Sequence, residues 1–218
     1  MHRPHFALFG GSFNPVHVGH MELIEAVLRG GADHVFVIPA SRSPFKGEQQ
    51  LLPAPLRYRM LRAALGGMSR VSVLDLEIDR PAPSYTIDTV QALAAWVPRA
   101  RLSLVMGADA FQGFAEWRHA ASILARADLL LFARPDGPDT LPGEPAQWAA
   151  WLPEPFRASA RLADAGSLRD ESGRVLVRRV NRPISPISST QIRGSGALAE
   201  VPPGARELLR AHLAAHPR

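Results

Sequence analysis

Two histidines three residues apart, His17 and His20, follow a pair of glycines near the start of the chain. Side chains at this spacing share one face of a helix, and imidazoles there can donate hydrogen bonds to phosphate oxygens. Gly10 and Gly11 let the backbone turn sharply and approach a ligand closely, and Ser12 adds a hydroxyl. These residue types in this order predict a site for an anionic ligand.

A His-x-x-His pair can also ligate a metal ion, so a second interpretation has to be weighed. The chain contains no cysteine, and the carboxylates near the pair are Glu22 and Glu25. Taken one at a time, two glycines after a strand are usually only a turn, and a single histidine is usually structural. Phosphate binding is the favoured interpretation of the pair, and we expect no metal held by protein ligands.

The elements around these residues explain how they would be positioned. His5 to Phe9 is a short apolar run that predicts a buried strand. From about Val18 the apolar residues recur with helical periodicity. A strand, a glycine turn and a helix N-terminus in succession direct backbone N–H groups and the positive end of the helix dipole to one point.

Predicted strands and helices alternate along the rest of the chain. Further strands are predicted over residues 34–39, 71–78, 102–106, 129–133 and 174–180. Helices are predicted over residues 54–65, 86–96, 122–127 and 205–216, with shorter helical stretches within 108–117 and 146–151. This alternation predicts an α/β fold with a doubly wound, mostly parallel, Rossmann-like sheet and helices on both faces. We expect a single domain over residues 1–218, with a C-terminal helical segment at about 187–218.

Ligands of such sheets bind beyond the carboxyl ends of the strands, at a switch in strand order. The glycine turn, the loop that carries Lys46 and Gly107 each follow a predicted strand, so all three would lie along that edge. Of the 25 lysines and arginines, Lys46 is the single lysine. A solvated loop charge is the ordinary interpretation of such a residue, and a phosphate contact is the functional one.

Hydroxyl side chains at Ser188, Ser189 and Thr190 precede another predicted helical turn. The ordinary interpretation is that they cap this helix. The functional interpretation adds a second phosphate-facing helix terminus, with Arg193 one turn into the helix.

Composition narrows the class of partner. The net charge of +5 and the pI of about 10.8 suit an anionic substrate. Nucleic acid is less favoured, because the chain has no basic tail and no alternation of basic and aromatic residues. No apolar run reaches the length of a membrane span, no signal-peptide pattern is present, and cysteine is absent. We therefore expect a cytoplasmic protein that binds neither nucleic acid nor membrane.

Seven segments together resemble one family. GGSFNPVHVGH (10–20) resembles the signature of the nucleotidylyltransferase superfamily, G-x-F-x-P-x-H-x-G-H, and ISSTQIR (187–193) is shared across it. SYTIDT (84–89) and MGADAF with Trp117 (106–117) point within that superfamily to the bacterial nicotinate mononucleotide adenylyltransferases. The other matching segments are SPFK (43–46), RYRML (57–61) and ARP (133–135).

The resemblance implies an adenylyltransferase of NAD biosynthesis. The phosphate of nicotinate mononucleotide would attack the α-phosphorus of ATP, giving nicotinate adenine dinucleotide (deamido-NAD) and pyrophosphate. No covalent enzyme intermediate is implied, so catalysis would rest on alignment and charge stabilisation. Mg²⁺ would be carried with the ATP phosphates rather than by a protein cage.

The same resemblance assigns roles to individual residues. The catalytic residues would be His17, His20, Lys46 and Arg193. ATP would be bound by Gly10, Gly11, Ser12, Gly107, Asp109, Ser188, Ser189 and Thr190. Thr86 and Trp117 would contact the nicotinate nucleotide, Trp117 by stacking on the pyridine ring, whereas the ordinary interpretation of Thr86 is a helix N-cap. Phe45 stands where the family usually has histidine.

Several alternatives stay open at the level of sequence. A related nucleotidylyltransferase could use nicotinamide mononucleotide or phosphopantetheine as the acceptor, or could be a cytidylyltransferase. A non-catalytic nucleotide-binding regulator would keep the fold without turnover, although the four candidate catalytic side chains argue against it. The oligomeric state is open as well, a homo-oligomer included.

Overall fold

The computed structural model describes residues 3–41, 51–80, 83–133, 145–180 and 185–216, and an eight-stranded sheet lies at the centre of this part of the chain. The strands are β1 (His5–Gly11), β2 (His34–Pro39), β3 (Val71–Val73), β4 (Arg101–Gly107), β5 (Ala127–Phe132), β6 (Arg161–Asp164), β7 (Ser167–Arg169) and β8 (Val175–Arg179). Their order across the sheet is β3-β2-β1-β4-β5-β8-β7-β6. The six strands β3, β2, β1, β4, β5 and β8 pair with their neighbours in parallel. The β7–β8 and β6–β7 pairs at the other end of the sheet are antiparallel.

Helices connect the strands. The α-helices are α1 (Val18–Arg29), α2 (Ala54–Leu65), α3 (Thr86–Trp96), α4 (Ala108–Gln112), α5 (Ala120–Arg126), α6 (Pro145–Trp148), α7 (Phe156–Ser159), α8 (Ser189–Ser195) and α9 (Pro203–Ala215). Single 3-10 turns follow α4, α6 and α8. Among the described residues, no helix combines the length and the apolar character that crossing a membrane requires.

Alternation along the strands divides the core into two layers. Ala7 and Phe9 of β1 pack on one face of the sheet with residues of α1, α2, α8 and α9. Leu8, which lies between them, packs on the opposite face with residues of α3, α4 and α5. Because successive side chains of a strand point to opposite faces, one apolar run supplies both layers. The predicted doubly wound, mostly parallel sheet with helices on both faces is confirmed.

The strand order places a switch point beside β1. The chain first builds outward from β1 through β2 to β3, and then returns to add β4 on the other side of β1. The segments that follow β1 and β4 therefore diverge onto opposite faces and leave a crevice at the carboxyl edge of the sheet.

The predicted strand over 71–78 is wrong beyond Val73, where β3 ends. Residues 74–80 form turns in which the N–H of Ile78 donates to the carbonyl of Asp75. Leu74 and Leu76 nevertheless pack against the core. The alternation of apolar and polar residues that predicted a strand here therefore reflects a partly buried turn. Glu77 is also buried and accepts a hydrogen bond of 2.8 Å from Thr89; burial raises the pKa of its carboxyl in spite of that bond.

The β6–β7 hairpin was not predicted, because residues 134–173 show little periodicity. Every residue of β6 is exposed, so neither face of this edge strand carries an apolar pattern. The predicted short helix near 146–151 corresponds to α6 and the 3-10 turn after it. Trp148 in α6 is buried and meets Phe111 edge to face, so it packs in the core.

Candidate active site

A cleft of about 300 Å³ opens at the carboxyl edge of the sheet, where the strand order reverses. Its walls come from the end of β1, the first turn of α1, and α8, with Phe132 from the end of β5. The predicted site residues that line it are Gly10, Gly11, Ser12, His17, His20, Asp109, Ser188, Ser189, Thr190 and Arg193. The fold therefore brings together residues from both ends of the chain.

Phe13 shapes the turn after β1 and was not singled out from the sequence. Its φ of 46° is a left-handed backbone conformation that non-glycine residues adopt uncommonly. A Cβ atom at Gly11 would come within 3.1 Å of the Phe13 ring, so the ring packs where only glycine leaves room. The same ring lies 4.9 Å from that of His20, centroid to centroid, and supports it from one side.

The two histidines lie against each other at the start of α1. The ring of His17 is buried, and its centroid is 3.7 Å from that of His20. The backbone N–H of His17 donates to Nδ1 of His20 over 3.1 Å. Because Nδ1 accepts this bond, the proton of the neutral His20 ring is on Nε2, where it can be donated to a ligand oxygen.

Helix α8 forms the far wall of the cleft and is fastened to the loop after β1. The hydroxyl of Ser189 donates to the carbonyl of Pro15 over 2.9 Å, and Nη1 of Arg193 donates to the carbonyl of Asn14 over 2.7 Å. Nη2 of Arg193 donates to the hydroxyl of Thr190 over 3.2 Å. The Arg193 guanidinium is thus held at the cleft by backbone and side-chain oxygens.

Ser188 serves as the N-cap of α8, as its ordinary interpretation predicted. Its Oγ accepts from the backbone N–H of Gln191 over 3.2 Å, and the Gln191 side chain accepts from the backbone N–H of Ser188 over 2.7 Å. This capping box satisfies two donors of the helix terminus. Ser188 also lines the cleft, so the capping role and a ligand contact do not exclude each other.

Gly107 is the last residue of β4, and Asp109 lies in α4, which follows directly. A Cβ atom at Gly107 would lie 2.6 Å from Oδ1 of Asp109, so a larger residue there would displace the carboxylate. Asp109 lines the cleft, and the missing side chain at Gly107 leaves room for its carboxylate. Asp109 supplies the cleft with a hydrogen-bond acceptor among its many donors.

Thr86 and Trp117 lie outside the residues that line the cleft. The N-cap of α3 is Tyr85 and Thr86 is the first helical residue, so the interpretation of Thr86 as the cap is wrong. The guanidinium of Arg118 lies 4.6 Å from the centre of the Tyr85 ring. Tyr85 precedes Thr86 and Arg118 follows Trp117, so this contact brings together the two segments that carry the residues predicted to bind the nicotinate nucleotide.

Lys46 and Phe45 lie outside the described residues. Arg57, by contrast, lies within the described residues. From the sequence it was included only as part of the matching segment RYRML (57–61). Its side chain is 1% exposed, and Nη1 donates over 2.7 Å to the carbonyl of Ser12, on the glycine turn. Burial lowers the pKa of the Arg57 guanidinium, which as an arginine still carries its charge at neutral pH.

Polar side chains that can donate hydrogen bonds line the cleft. Within the described ranges, no three His, Cys, Asp or Glu side chains come together as ligands of one ion would. Ser12, His20 and Arg193 line the cleft next to the N-terminus of α1. Such an arrangement binds phosphate groups.

Comparison with known proteins places this geometry in a family. The profile of the cytidylyltransferase-like family matches residues 8–195. A protein of Dechloromonas aromatica, described as "Probable nicotinate-nucleotide adenylyltransferase", is 35% identical over 188 residues, which cover 85% of this chain and 83% of that protein. The chain belongs to the nicotinate-nucleotide adenylyltransferases of the cytidylyltransferase-like family.

Other members of this family match over a shorter length. A Maridesulfovibrio salexigens protein with the same description is 38% identical over 128 residues, or 58% of this chain and 59% of that protein. The chain thus spans about three fifths of the length of several curated relatives. A solved Plasmodium falciparum nicotinic acid mononucleotide adenylyltransferase, complexed with NaAD, superposes with a TM-score of 0.70 over 96% of both chains. At 12% identity, that likeness concerns the fold.

Proposed function

We propose that this protein transfers AMP from ATP to nicotinate mononucleotide and releases pyrophosphate. The observation that carries the proposal is the convergence, on one cleft, of donors from the start of α1 and from α8. His20 and Arg193 represent these two walls. A polyphosphate with several negative charges fits a cleft with donors on both sides, and the names of the relatives supply the reaction class.

The reaction needs no nucleophilic side chain. An oxygen of the acceptor phosphate forms a bond to the α-phosphorus of ATP, and the bond from that phosphorus to the oxygen bridging to the β-phosphate breaks. The electron pair leaves with pyrophosphate. His20 Nε2–H and the Arg193 guanidinium stabilise the charge that develops on the phosphate oxygens, and alignment supplies much of the rest. Mg²⁺ enters as part of the MgATP substrate.

The remaining candidates divide between the two substrates. Asp109 accepts hydrogen bonds from the ATP ribose, in a position that depends on Gly107. Thr86 and Trp117 contact the pyridine nucleotide, with Trp117 providing a flat face for the ring. Lys46 neutralises phosphate charge. These roles come from the resemblance, and the arrangement of the described residues is compatible with them.

Purified protein incubated with ATP, Mg²⁺ and nicotinate mononucleotide tests the proposal, with the dinucleotide separated by chromatography and pyrophosphate measured in parallel. Parallel reactions replace the acceptor by nicotinamide mononucleotide or phosphopantetheine, and ATP by CTP. We expect the nicotinate dinucleotide and pyrophosphate in equal amounts. Absence of a dinucleotide from both pyridine mononucleotides would overturn the proposal, and turnover with phosphopantetheine or CTP alone would move the protein to another reaction.

A further inference from the structure

Three arginines in the described part of the chain make the same local contact near the start of a helix. Arg57 in α2, Arg157 in α7 and Arg206 in α9 each follow an apolar residue and a proline, five and four positions earlier. In each case Nε donates to the carbonyl of the apolar residue, at 2.9 Å for Leu52, 3.0 Å for Leu152 and 3.1 Å for Val201. The backbone N–H of each arginine donates to the carbonyl of the proline. The repeated contact stabilises a helix N-terminus, and by itself it is structural.

Arg57 differs from the other two in where the rest of its guanidinium points. Arg206 directs Nη2 back to its own loop, to the carbonyls of Ala199 and Val201, and Arg157 is exposed beside Glu154. Arg57 is buried, and its terminal nitrogens reach other elements. Nη1 donates to Ser12 over 2.7 Å and to Ala40 over 2.8 Å, and Nη2 donates to Ser41 over 3.0 Å, each time at the carbonyl.

These bonds connect three separate segments of the chain beside the cleft. Ser12 belongs to the turn after β1 and lines the cleft, whereas Ala40 and Ser41 follow β2. Leu52 precedes α2, and its own N–H donates to Oδ1 of Asn14 over 2.9 Å. A guanidinium has five donors in a fixed plane, so one side chain can hold these carbonyls at defined positions relative to one another.

The position of Arg57 also makes its effect selective. Helix α2 packs on the face of the sheet that carries α1 and α8, whereas Trp117 packs on the opposite face with α3. We therefore expect a change at Arg57 to act on the Ser12 turn and to leave the surroundings of Thr86 and Trp117 as they are. Displacing a binding group by about 1 Å can cost on the order of 10² in rate, so a backbone anchor of this kind can matter for catalysis without touching the substrate.

We propose that Arg57 is a positioning residue for ATP: from behind the cleft it holds the Ser12 backbone where the glycine turn meets the polyphosphate. The inference rests on the proposed function for the identity of the nucleotide. Arg157 and Arg206 keep the same local contact without the link to the turn, so the chain supplies its own matched controls.

The experiment compares Arg57→Met and Arg57→Lys with Arg206→Met and Arg206→Lys. For each purified variant, calorimetric titration gives the Kd for ATP without acceptor, steady-state kinetics gives KM for ATP and for nicotinate mononucleotide, and thermal unfolding gives Tm. Kinetics and titrations are run well below the lowest Tm, so that every variant compared is folded.

We expect Arg57→Met to raise Kd and KM for ATP at least about tenfold, while KM for the acceptor stays within about twofold. Arg57→Lys should lie between wild type and Arg57→Met, because one ammonium keeps the charge and cannot reach carbonyls on three segments. Both Arg206 variants should lower Tm and leave the Kd for ATP unchanged.

Arg57→Met could lower Tm as much as Arg206→Met does and still keep the wild-type Kd for ATP. That result would show that Arg57 only stabilises the start of α2. Equal changes in both KM values would also overturn the inference, because they indicate a general distortion. Should Arg57→Met not fold, Arg57→Lys decides by the same criteria. ATP binding that depends on Arg57, in a protein that forms no dinucleotide, would reject the proposed reaction and keep this inference.

Discussion

Polar side chains have different surroundings at the two edges of the sheet, the carboxyl edge and the amino edge. At the carboxyl edge, His20, Ser12 and Arg193 line the cleft. At the amino edge, polar side chains pair with one another: the His5 ring meets the Ser103 hydroxyl at 2.7 Å, and Arg101 donates two bonds to Asp128. We infer that polar pairs within the protein serve stability at the amino edge, and we propose that the polar side chains lining the cleft serve binding at the carboxyl edge.

Hydrogen bonding at the amino edge also determines the protonation of His5. Its Nδ1 donates to the carbonyl of Gly31 over 3.1 Å, so Nε2 is left to accept from Ser103. Burial, and then the nearby Arg101 charge, lower the pKa of His5. The folded protein thus favours a neutral imidazole at this position.

The largest effect should come from the carboxyl edge. His20→Ala removes the Nε2–H donor, and loss of one transition-state donor typically costs about 10²–10³ in turnover. The free energy of unfolding should fall by only about 1 kcal/mol, because the variant loses the capping bond that His20 Nδ1 accepts from the backbone N–H of His17. Initial rates and urea unfolding of the same preparation test this; near-wild-type turnover in His20→Ala, and also in His17→Ala, would contradict the assigned roles.

Asp128→Asn at the amino edge should show the reverse behaviour. It removes a buried carboxylate that binds the partly exposed Arg101 through both oxygens, which should cost about 2 kcal/mol of stability. Turnover below the unfolding transition should stay at the wild-type level, because Asp128 lies near the start of β5 and the cleft lies at the other end of that strand. Urea unfolding gives the first quantity and initial rates the second. A strong loss of turnover with stability intact would undo the contrast between the edges.

Acceptor choice gives a smaller effect at the carboxyl edge. A nicotinate carboxylate can accept charge-assisted hydrogen bonds that nicotinamide cannot match, and about 1.4 kcal/mol suffices for a tenfold preference. We expect at least about a tenfold higher kcat/KM for nicotinate mononucleotide than for nicotinamide mononucleotide, with both values reduced in Trp117→Ala. Equal use of acid and amide would refute the preference, and an unchanged Trp117→Ala enzyme would remove the stacking role.

The smallest effect is a pH dependence at the amino edge. Because the pKa of His5 is lowered on folding, the unfolded chain binds more protons below about pH 6.5, and stability falls as the pH falls through that range. The loss in free energy of unfolding between about pH 7.5 and about pH 5.5 should be smaller in His5→Gln than in wild type. His34, whose pKa burial also lowers, should keep part of the dependence in the variant. Identical pH profiles would exclude His5 as a source.

Most of the features that could be predicted from the sequence depend on local patterns of residues. The α1 motif and the Ser188 cap depend on neighbours within a few residues, and the alternation of strands and helices reflects periodic burial. Arg57 acts on the Ser12 carbonyl 45 positions away, and His5 meets Ser103 at a separation of 98. No periodicity encodes such partners, because the fold brings them together only after the sheet has formed. The left-handed backbone of Phe13 was not predicted either, although Gly11, against which its ring packs, is only two positions away.

The bonds that fasten α8 to the loop after β1 also have a consequence for synthesis of the protein. Ser189 and Pro15 are 174 positions apart, and Arg193 and Asn14 are 179 positions apart. A ribosome therefore releases the glycine turn and the histidine pair long before the opposite wall exists. If the proposed function holds, an incomplete chain would carry only one wall of the cleft, and we expect it to bind ATP only after α8 has been made and has folded against the loop after β1.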